Sequence, residues 1–560
     1  MGTGLASRFP RTTVLPPEAR EGDARAFAPR LSRVRTATAL LAVTALGLVP
    51  RLAWFGRYRL AGTDCDGAGY MDVARHLAAG DGFTTGIFKY LYLPPAALPQ
   101  PDAHWSPLYP LLTAGSFTLF GESIAAAKLV PLLLGAAVPA LAWLLALSLT
   151  GDRRTALLAG LLAALHPTLV TWSLRIETEI GTVALVTAAL ALLPRSGPRA
   201  NAALGVVTGL AWLMKYQSAL LWGAILARRL LLDPPGRRGR DLAAAAAAFA
   251  LVAAPWALRN QLVFGAPLYT DLCTDVVSAY PGLGGVDRAW ASTTMPPAPL
   301  GYMLAHAGET LGHVYGNLRG YALRLPPQAL GSLLLAPLAV AGIWSQLRRL
   351  RAWAPVLVYG ALLLGMFSLS TAFDRYQFSL FPPVVVLAAA GAVWALDRAA
   401  ALGRGAAPAR ALVALLLLAA LADQARLGAA KATDRSAPWN PHANFCAAEY
   451  LAAAPFVRDH AGPREAVMAA EAYHAGYLFG RPVVNLPFDE PSLRRLSARY
   501  GVRYLVVSDR QRRQRLPGWA KAPPAWARPV ARWSAPDVAR MYDAPAGWVS
   551  AVTVYRLDPP

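Results

Sequence analysis

In the stretch Thr63-Asp64-Cys65-Asp66-Gly67-Ala68-Gly69-Tyr70, two aspartates flank a cysteine and a tyrosine follows the second at a spacing of four. A carboxylate so placed could take the proton from a hydroxyl nucleophile. It could also cap the short helix that the spacing of Tyr70, Ala74 and Leu77 predicts over 67–79. A metal-binding pair is the weaker reading, because Asp64 and Asp66 with Cys65 between them supply too few ligands without partners from elsewhere. A second acidic pair, Glu177 and Glu179, opens an apolar run. A helix dipole favours carboxylates at that end by itself, yet an ionisable group at the edge of a span is also a site candidate.

The cations fall at comparable places. Lys215 follows GVVTGLAWLM and precedes Tyr216, Arg259 and Asn260 leave the run PWALRN, and Arg375 stands beside Tyr376 in DRYQFSLFPP. Snorkelling or loop anchoring accounts for each one alone. Together with the acidic pairs they suit a reaction in which a carboxylate activates an acceptor hydroxyl while cations hold a departing phosphate. His104, in HWSPLYP, could contact a donor or an acceptor, or serve the loop alone.

The elements that must position these groups follow from composition. Of 560 residues, 55% are hydrophobic and 15% charged, with mean hydropathy +0.36; a soluble chain carries roughly a quarter charged residues. Repeated apolar runs near the length a bilayer demands imply a polytopic membrane protein, and within such runs the backbone must be helical. The runs lie near 37–54, 123–150, 155–172, 178–194, 201–214, 217–232, 241–258, 329–346, 354–371, 376–396 and 409–426. That gives about eleven spans, with 106–121 apolar enough to span or to lie on the surface. The net charge of +22 does not imply nucleic acid, since the arginines mostly bracket apolar runs as topology signals do. Cys65, Cys273 and Cys446 form neither a disulfide framework nor a zinc pattern. The segment through Arg35 lacks the shape of a cleavable signal, so the first apolar run is expected to remain as an anchor.

With residues 1–36 as a basic cytoplasmic arm, alternate loops at 152–154, 194–199, 228–240, 348–351 and 398–410 become cytoplasmic, and all are arginine-rich. The acidic and cationic candidates then share the outer face. The transmembrane region is expected over 37–426, with long outer loops at 55–122 and 259–328. Short β-like runs at 466–468, 482–484, 504–507 and 552–555, alternating with helix-compatible stretches such as 490–500, predict an extracytoplasmic α/β domain over 427–560. Neither nucleotide sugar nor ATP is at hand on that face, so an activated donor would have to arrive in the membrane as a lipid phosphate.

These segments together resemble the GT-C superfamily of membrane glycosyltransferases, in particular the dolichyl-phosphate-mannose–protein mannosyltransferase-like family that includes the lipid A aminoarabinose transferases. Asp66 and Tyr70 followed by ARHLAAGDGF are similar to the first-loop pattern of that family. The P-L-Y-P box at 107–110, which contains Tyr109, the phrase LFGES, and AALHPTLV followed by Glu179 continue the likeness. GLAWLMK is similar to a phrase that commonly ends in Arg, PWALRNQLVFG is close to another box, and DRYQFSLFPP departs from its counterpart where a Pro is often found. The resemblance runs through roughly residues 40–400, with a weaker echo in YLFGRPVVNLP and GVRYLVVS.

The resemblance implies a GT-C-like bundle of about 11 to 13 transmembrane helices in a bacterial cytoplasmic membrane, and a polyprenyl-phosphate-linked sugar donor in a groove at the outer leaflet. It implies Asp66 as general base with Glu179 as a second catalytic carboxylate, and a lipid, glycan or protein acceptor. It assigns donor phosphate to Arg259 and Arg375, and less directly to Lys215, which keeps the charge but lacks the planar fork. Tyr70, His104, Tyr109, Asn260 and Tyr376 complete the expected substrate-binding set. No cofactor is firmly expected, and a divalent cation shared by Asp64, Asp66 and Glu179 is the second reading of the first loop. A lipid flippase finds less support, because no inverted repeat or deep intramembrane charge is visible. A non-catalytic glycan-binding membrane protein is the remaining alternative.

Overall fold

The computed structural model describes residues 33–58, 65–278, 280–370, 373–433, 445–519, 522–542 and 547–558. Asp64 lies outside them. Among the described residues, helical stretches long and apolar enough to cross a membrane are Thr38–Phe55, Ile124–Thr150, Pro235–Phe264, Leu333–Ser368, Asp374–Ala400 and Ala406–Lys431. Several other expected spans are shorter. Helices Arg153–Leu165, Glu179–Leu192, Pro198–Met214 and Leu221–Leu232 have 13, 14, 17 and 12 residues. At 1.5 Å per residue they cover only about 18 to 26 Å, against roughly 30 Å of hydrocarbon. Their ends are set locally: Gly197 at φ 97° with Pro198 behind it starts one of them, and an extended Lys215 stops it.

Packing in the bundle relies on small residues. A Cβ on Gly342 or Gly391 would collide with the backbone of the facing helix, so Ala336–Gln346 and Phe381–Ala400 touch backbone to backbone. The arginine-rich loops gather at one end. Arg154 binds Asp397 through both terminal nitrogens at 2.8 Å, and Arg349 donates to the Thr150 carbonyl. Arg229 donates to Asp233 at 2.6 Å and to Asn201 at 2.5 Å. The acidic and cationic candidates collect at the opposite end.

That end is covered by a mixed sheet. Strands β1 (Thr84–Thr85), β2 (Ile87–Phe88) and β3 (Gln100–Pro101) lie in the first long loop, followed by β4 (Val467–Ala469), β5 (Val483–Asn485), β6 (Tyr504–Ser508), β7 (Ala527–Trp533) and β8 (Val552–Leu557). β1 and β3 form a two-stranded antiparallel pair, and the other six form one sheet in the order β2-β5-β4-β6-β8-β7. β4, β5 and β6 are almost entirely buried, as parallel strands covered on both faces must be. β7 carries Pro529 and an irregular register on the sheet edge, where a missing N–H is tolerated. The sheet is therefore not confined to residues beyond 427, because its other edge strand, β2, comes from the first loop. Most of the helix Ala307–Leu330 falls in the long loop expected over 259–328. Gly312, Gly316 and Gly320 lower its intrinsic propensity, whereas Leu311, Tyr315 and Leu318 keep a helical spacing.

Candidate active site

Asp66 lies in the first turn of helix Cys65–Ala79, and Glu179 in the first turn of Glu179–Leu192. Arg375 comes from the 3-10 turn Asp374–Leu380 that leads into a long apolar helix. Its guanidinium joins the acids: 2.5 Å to Asp66 Oδ2, 2.9 Å to Glu177 Oε1 and 3.4 Å to Glu179 Oε1. Lys215 Nζ approaches Glu179 Oε1 at 2.6 Å and lies 4.7 Å from the centre of the Tyr376 ring. Tyr70 reaches Thr178 at 3.4 Å, and its ring packs against Trp105 and Tyr109 at 4.2 and 5.0 Å. Asp66, Tyr70, Tyr109, Glu179, Lys215, Arg375 and Tyr376, distant in sequence, thus converge. Three carboxylates and two cations meet here. Burial opposes ionisation of Asp66, but Arg375, then Lys89 and His104, hold its carboxyl well below the usual range.

Beside this cluster, next to Trp105 and Tyr473, opens a cleft lined by Lys89, Tyr90, Asp102, His104 and Asp271 among others. His104 Nδ1 lies 2.9 Å from Asp271 Oδ1 and 3.3 Å from the Tyr90 hydroxyl. Asp102 accepts from the Trp105 N–H at 2.9 Å. Burial, with Asp271 adding to it, pushes the Asp102 carboxyl up to about 7. The Lys89 ammonium stands 3.6 Å from the centre of the Trp290 ring, 4.8 Å from Tyr90 and 4.9 Å from Tyr473. Among the described residues no carboxylate is within ion-pair distance of it.

Arg259 and Asn260 stand apart from the charged cluster. Arg259 donates to the carbonyls of Asp102 and Phe83 at 2.8 and 2.9 Å, and Asn260 donates to the Tyr269 carbonyl at 3.1 Å. They tie the edges of the cleft together. Among the described residues no group of three or more His, Cys, Asp or Glu is arranged to hold a metal ion, and Arg375 fills the space between Asp66 and the glutamates.

Sequence reasoning missed Lys89, Asp72 and Asp102. Lys89 sits in FKYLY, and its signal was a cation set among aromatics in the first long loop. Asp72, 2% exposed, accepts from Thr85 Oγ1 at 2.8 Å and from the Gly86 N–H at 3.0 Å, fixing the loop to the helix that carries Asp66.

Residues 101–258 match the family described as dolichyl-phosphate-mannose-protein mannosyltransferase. No curated protein sequence matches the chain. Among solved structures, ArnT from Cupriavidus metallidurans bound to undecaprenyl phosphate aligns with a TM-score of 0.56 at 15% identity, over 92% of this chain and 97% of that one. The archaeal oligosaccharyltransferase AglB from Archaeoglobus fulgidus, in complex with an inhibitory peptide and a dolichol-phosphate, aligns at 0.59 and 13% identity, over 90% and 73%. The Archaeoglobus fulgidus oligosaccharyltransferase tethered with an acceptor peptide aligns at 0.58 and 14%, over 85% and 69%. The chain shares its fold with these solved structures, and its apolar helices give it membrane-protein character.

Proposed function

We propose that the chain transfers a sugar from a polyprenyl-phosphate donor to an acceptor hydroxyl at the outer face of a bacterial cytoplasmic membrane, in a single inverting displacement. The observation that carries this reading is the half-buried Asp66, held ionised by Arg375 beside a cleft that presents the Lys89 ammonium. The Asp66 carboxylate takes the acceptor O–H proton as the acceptor oxygen attacks the anomeric carbon. The bond from that carbon to the phosphate oxygen breaks, and polyprenyl phosphate leaves with the electron pair. Lys89, which has no carboxylate partner among the described residues, is the cation that steadies the leaving phosphate. Arg375 and Lys215, already engaged with carboxylates, keep Asp66 and Glu179 ionised and placed. The gathering of arginine-rich loops at the far end of the bundle supports an outward-facing site. A lipid, glycan or protein hydroxyl fits the acceptor role.

The test separates chemistry from binding. Asp66→Asn is expected to bind polyprenyl phosphate as tightly as wild type, with transfer reduced about 100-fold or more, the size of a lost general base. Lys89→Met is expected to weaken polyprenyl phosphate binding. Near wild-type transfer by a folded Asp66→Asn protein removes the base assignment.

A further inference from the structure

Lys89 directly follows β2, and in the parallel register Ile87↔Val483 and Phe88↔Val484 it stands abreast of Asn485. The Asn485 amide, 4% exposed, donates from Nδ2 to the Lys89 carbonyl at 3.0 Å. Its Oδ1 accepts from an Arg515 terminal nitrogen at 3.3 Å. Arg515, 8% exposed, also donates to the Leu486 carbonyl at 2.6 Å and lies 4.8 Å from the centre of the Phe488 ring. A guanidinium has donors only. It therefore fixes which way the amide points: Oδ1 toward Arg515 and Nδ2 toward Lys89. Among the described residues Arg515 makes no ion pair, its hydrogen bonds go to neutral acceptors, and the carboxylate that feels its charge is that of Glu471, a costly arrangement for packing alone. The Lys89 side chain then enters a cage of one ring from its own loop, Tyr90, and two from distant segments, Trp290 and Tyr473.

We propose that Asn485, clamped by Arg515, is a positioning residue that sets where the Lys89 ammonium stands; this rests on the donor-phosphate role given to Lys89 above. The region beyond residue 445 then takes part in the donor site through the Asn485 amide as well as through the Tyr473 ring.

Asn485→Asp changes one group. The carboxylate still accepts from Arg515 but cannot donate to the Lys89 carbonyl. Wild type, Asn485→Asp, Lys89→Met and the double variant are compared in nanodiscs for polyprenyl phosphate binding. The Lys89 amine is followed separately by isotope-labelled reductive methylation and mass spectrometry. Asn485→Asp is expected to weaken binding about tenfold, as for one well-made buried hydrogen bond, to cost nothing further in the Lys89→Met background, and to change the Lys89 methylation rate severalfold. If Asn485→Asp unfolds the protein, Arg515→Gln releases the clamp with Asn485 in place and is expected to act in the same direction. An unchanged methylation rate in a folded variant, or an equal loss with and without Lys89, overturns the proposal. Should Lys89→Met bind polyprenyl phosphate like wild type, the phosphate assignment fails, and the methylation arm still decides the positioning.

Discussion

Arg375→Met removes the guanidinium that binds Asp66, Glu177 and Glu179 while keeping an apolar stem of similar length. At an effective dielectric constant near 20, a unit pair with charge centres about 4 Å apart is worth ~4 kcal/mol. The Asp66 and Arg375 side chains are 18% and 21% exposed, so solvent screens part of this. Half of it, about 2 kcal/mol, corresponds to roughly 1.5 pK units. In the wild type the Asp66 carboxyl is held low against burial, chiefly by Arg375. Its stabilising contribution is therefore fully present above the unfolded value near 3.9 and is lost as pH falls through the lower folded value. Without Arg375, burial is opposed by Lys89 and His104 but by less charge in all, and the carboxyl rises toward the usual carboxylate range. The assay is the sugar-transfer rate in nanodiscs from about pH 7 down to about pH 3, with the acid limb of Arg375→Met expected about 1.5 units above that of wild type, so that the variant loses rate at the acid end while wild type holds. Arg375→Lys, which keeps the charge but not the fork, is expected to shift it less. An acid limb that stays in place, with a rate close to wild type, refutes the electrostatic account of Asp66.

Three further substitutions probe the rest of the site and the bundle. The Asp102 carboxyl, raised to about 7 by burial and Asp271, makes stability fall as pH rises from its unfolded value near 4 toward 7; Asp102→Asn is expected to remove that slope, raising Tm at pH 8 and leaving it nearly unchanged at pH 4. A Cβ on Gly69 would sit 2.8 Å from Trp105 and 2.9 Å from Tyr473, so Gly69→Ala is expected to cost about 1 to 3 kcal/mol by overpacking and to slow transfer, measured by thermal unfolding and activity. Gly391→Leu forces apart the contact with Gly342 and is expected to lower Tm without moving the pH profile.

The membrane character, the order of the charged boxes and the β-strands near 467, 483, 504 and 552 were legible because each depends on local composition and periodicity. The joining of Glu177 to Arg375, 198 positions apart, was not local. Lys215 and Arg375 could be placed on the outer face from topology, but only the assembled bundle brings both against carboxylates. Arg259, expected on the donor phosphate, spends its donors on the Phe83 and Asp102 carbonyls, a use that no spacing reveals. Lys89 was hidden for a similar reason. Its aromatic cage draws one ring from its own loop and two from segments about 200 and 380 positions away. Short helices are bounded at Gly197–Pro198 and Lys215; hydropathy registers their apolar character but not where each one ends.

The most direct measurement follows the donor. Purified protein in nanodiscs is given polyprenyl-phosphate-linked sugars with an acceptor, and release of free polyprenyl phosphate is quantified for wild type and for Asp66→Asn. Release by wild type that falls about 100-fold or more in the variant is the expected result. Release that is indifferent to Asp66, or lipid crossing between leaflets with the sugar–phosphate bond intact, would contradict the account.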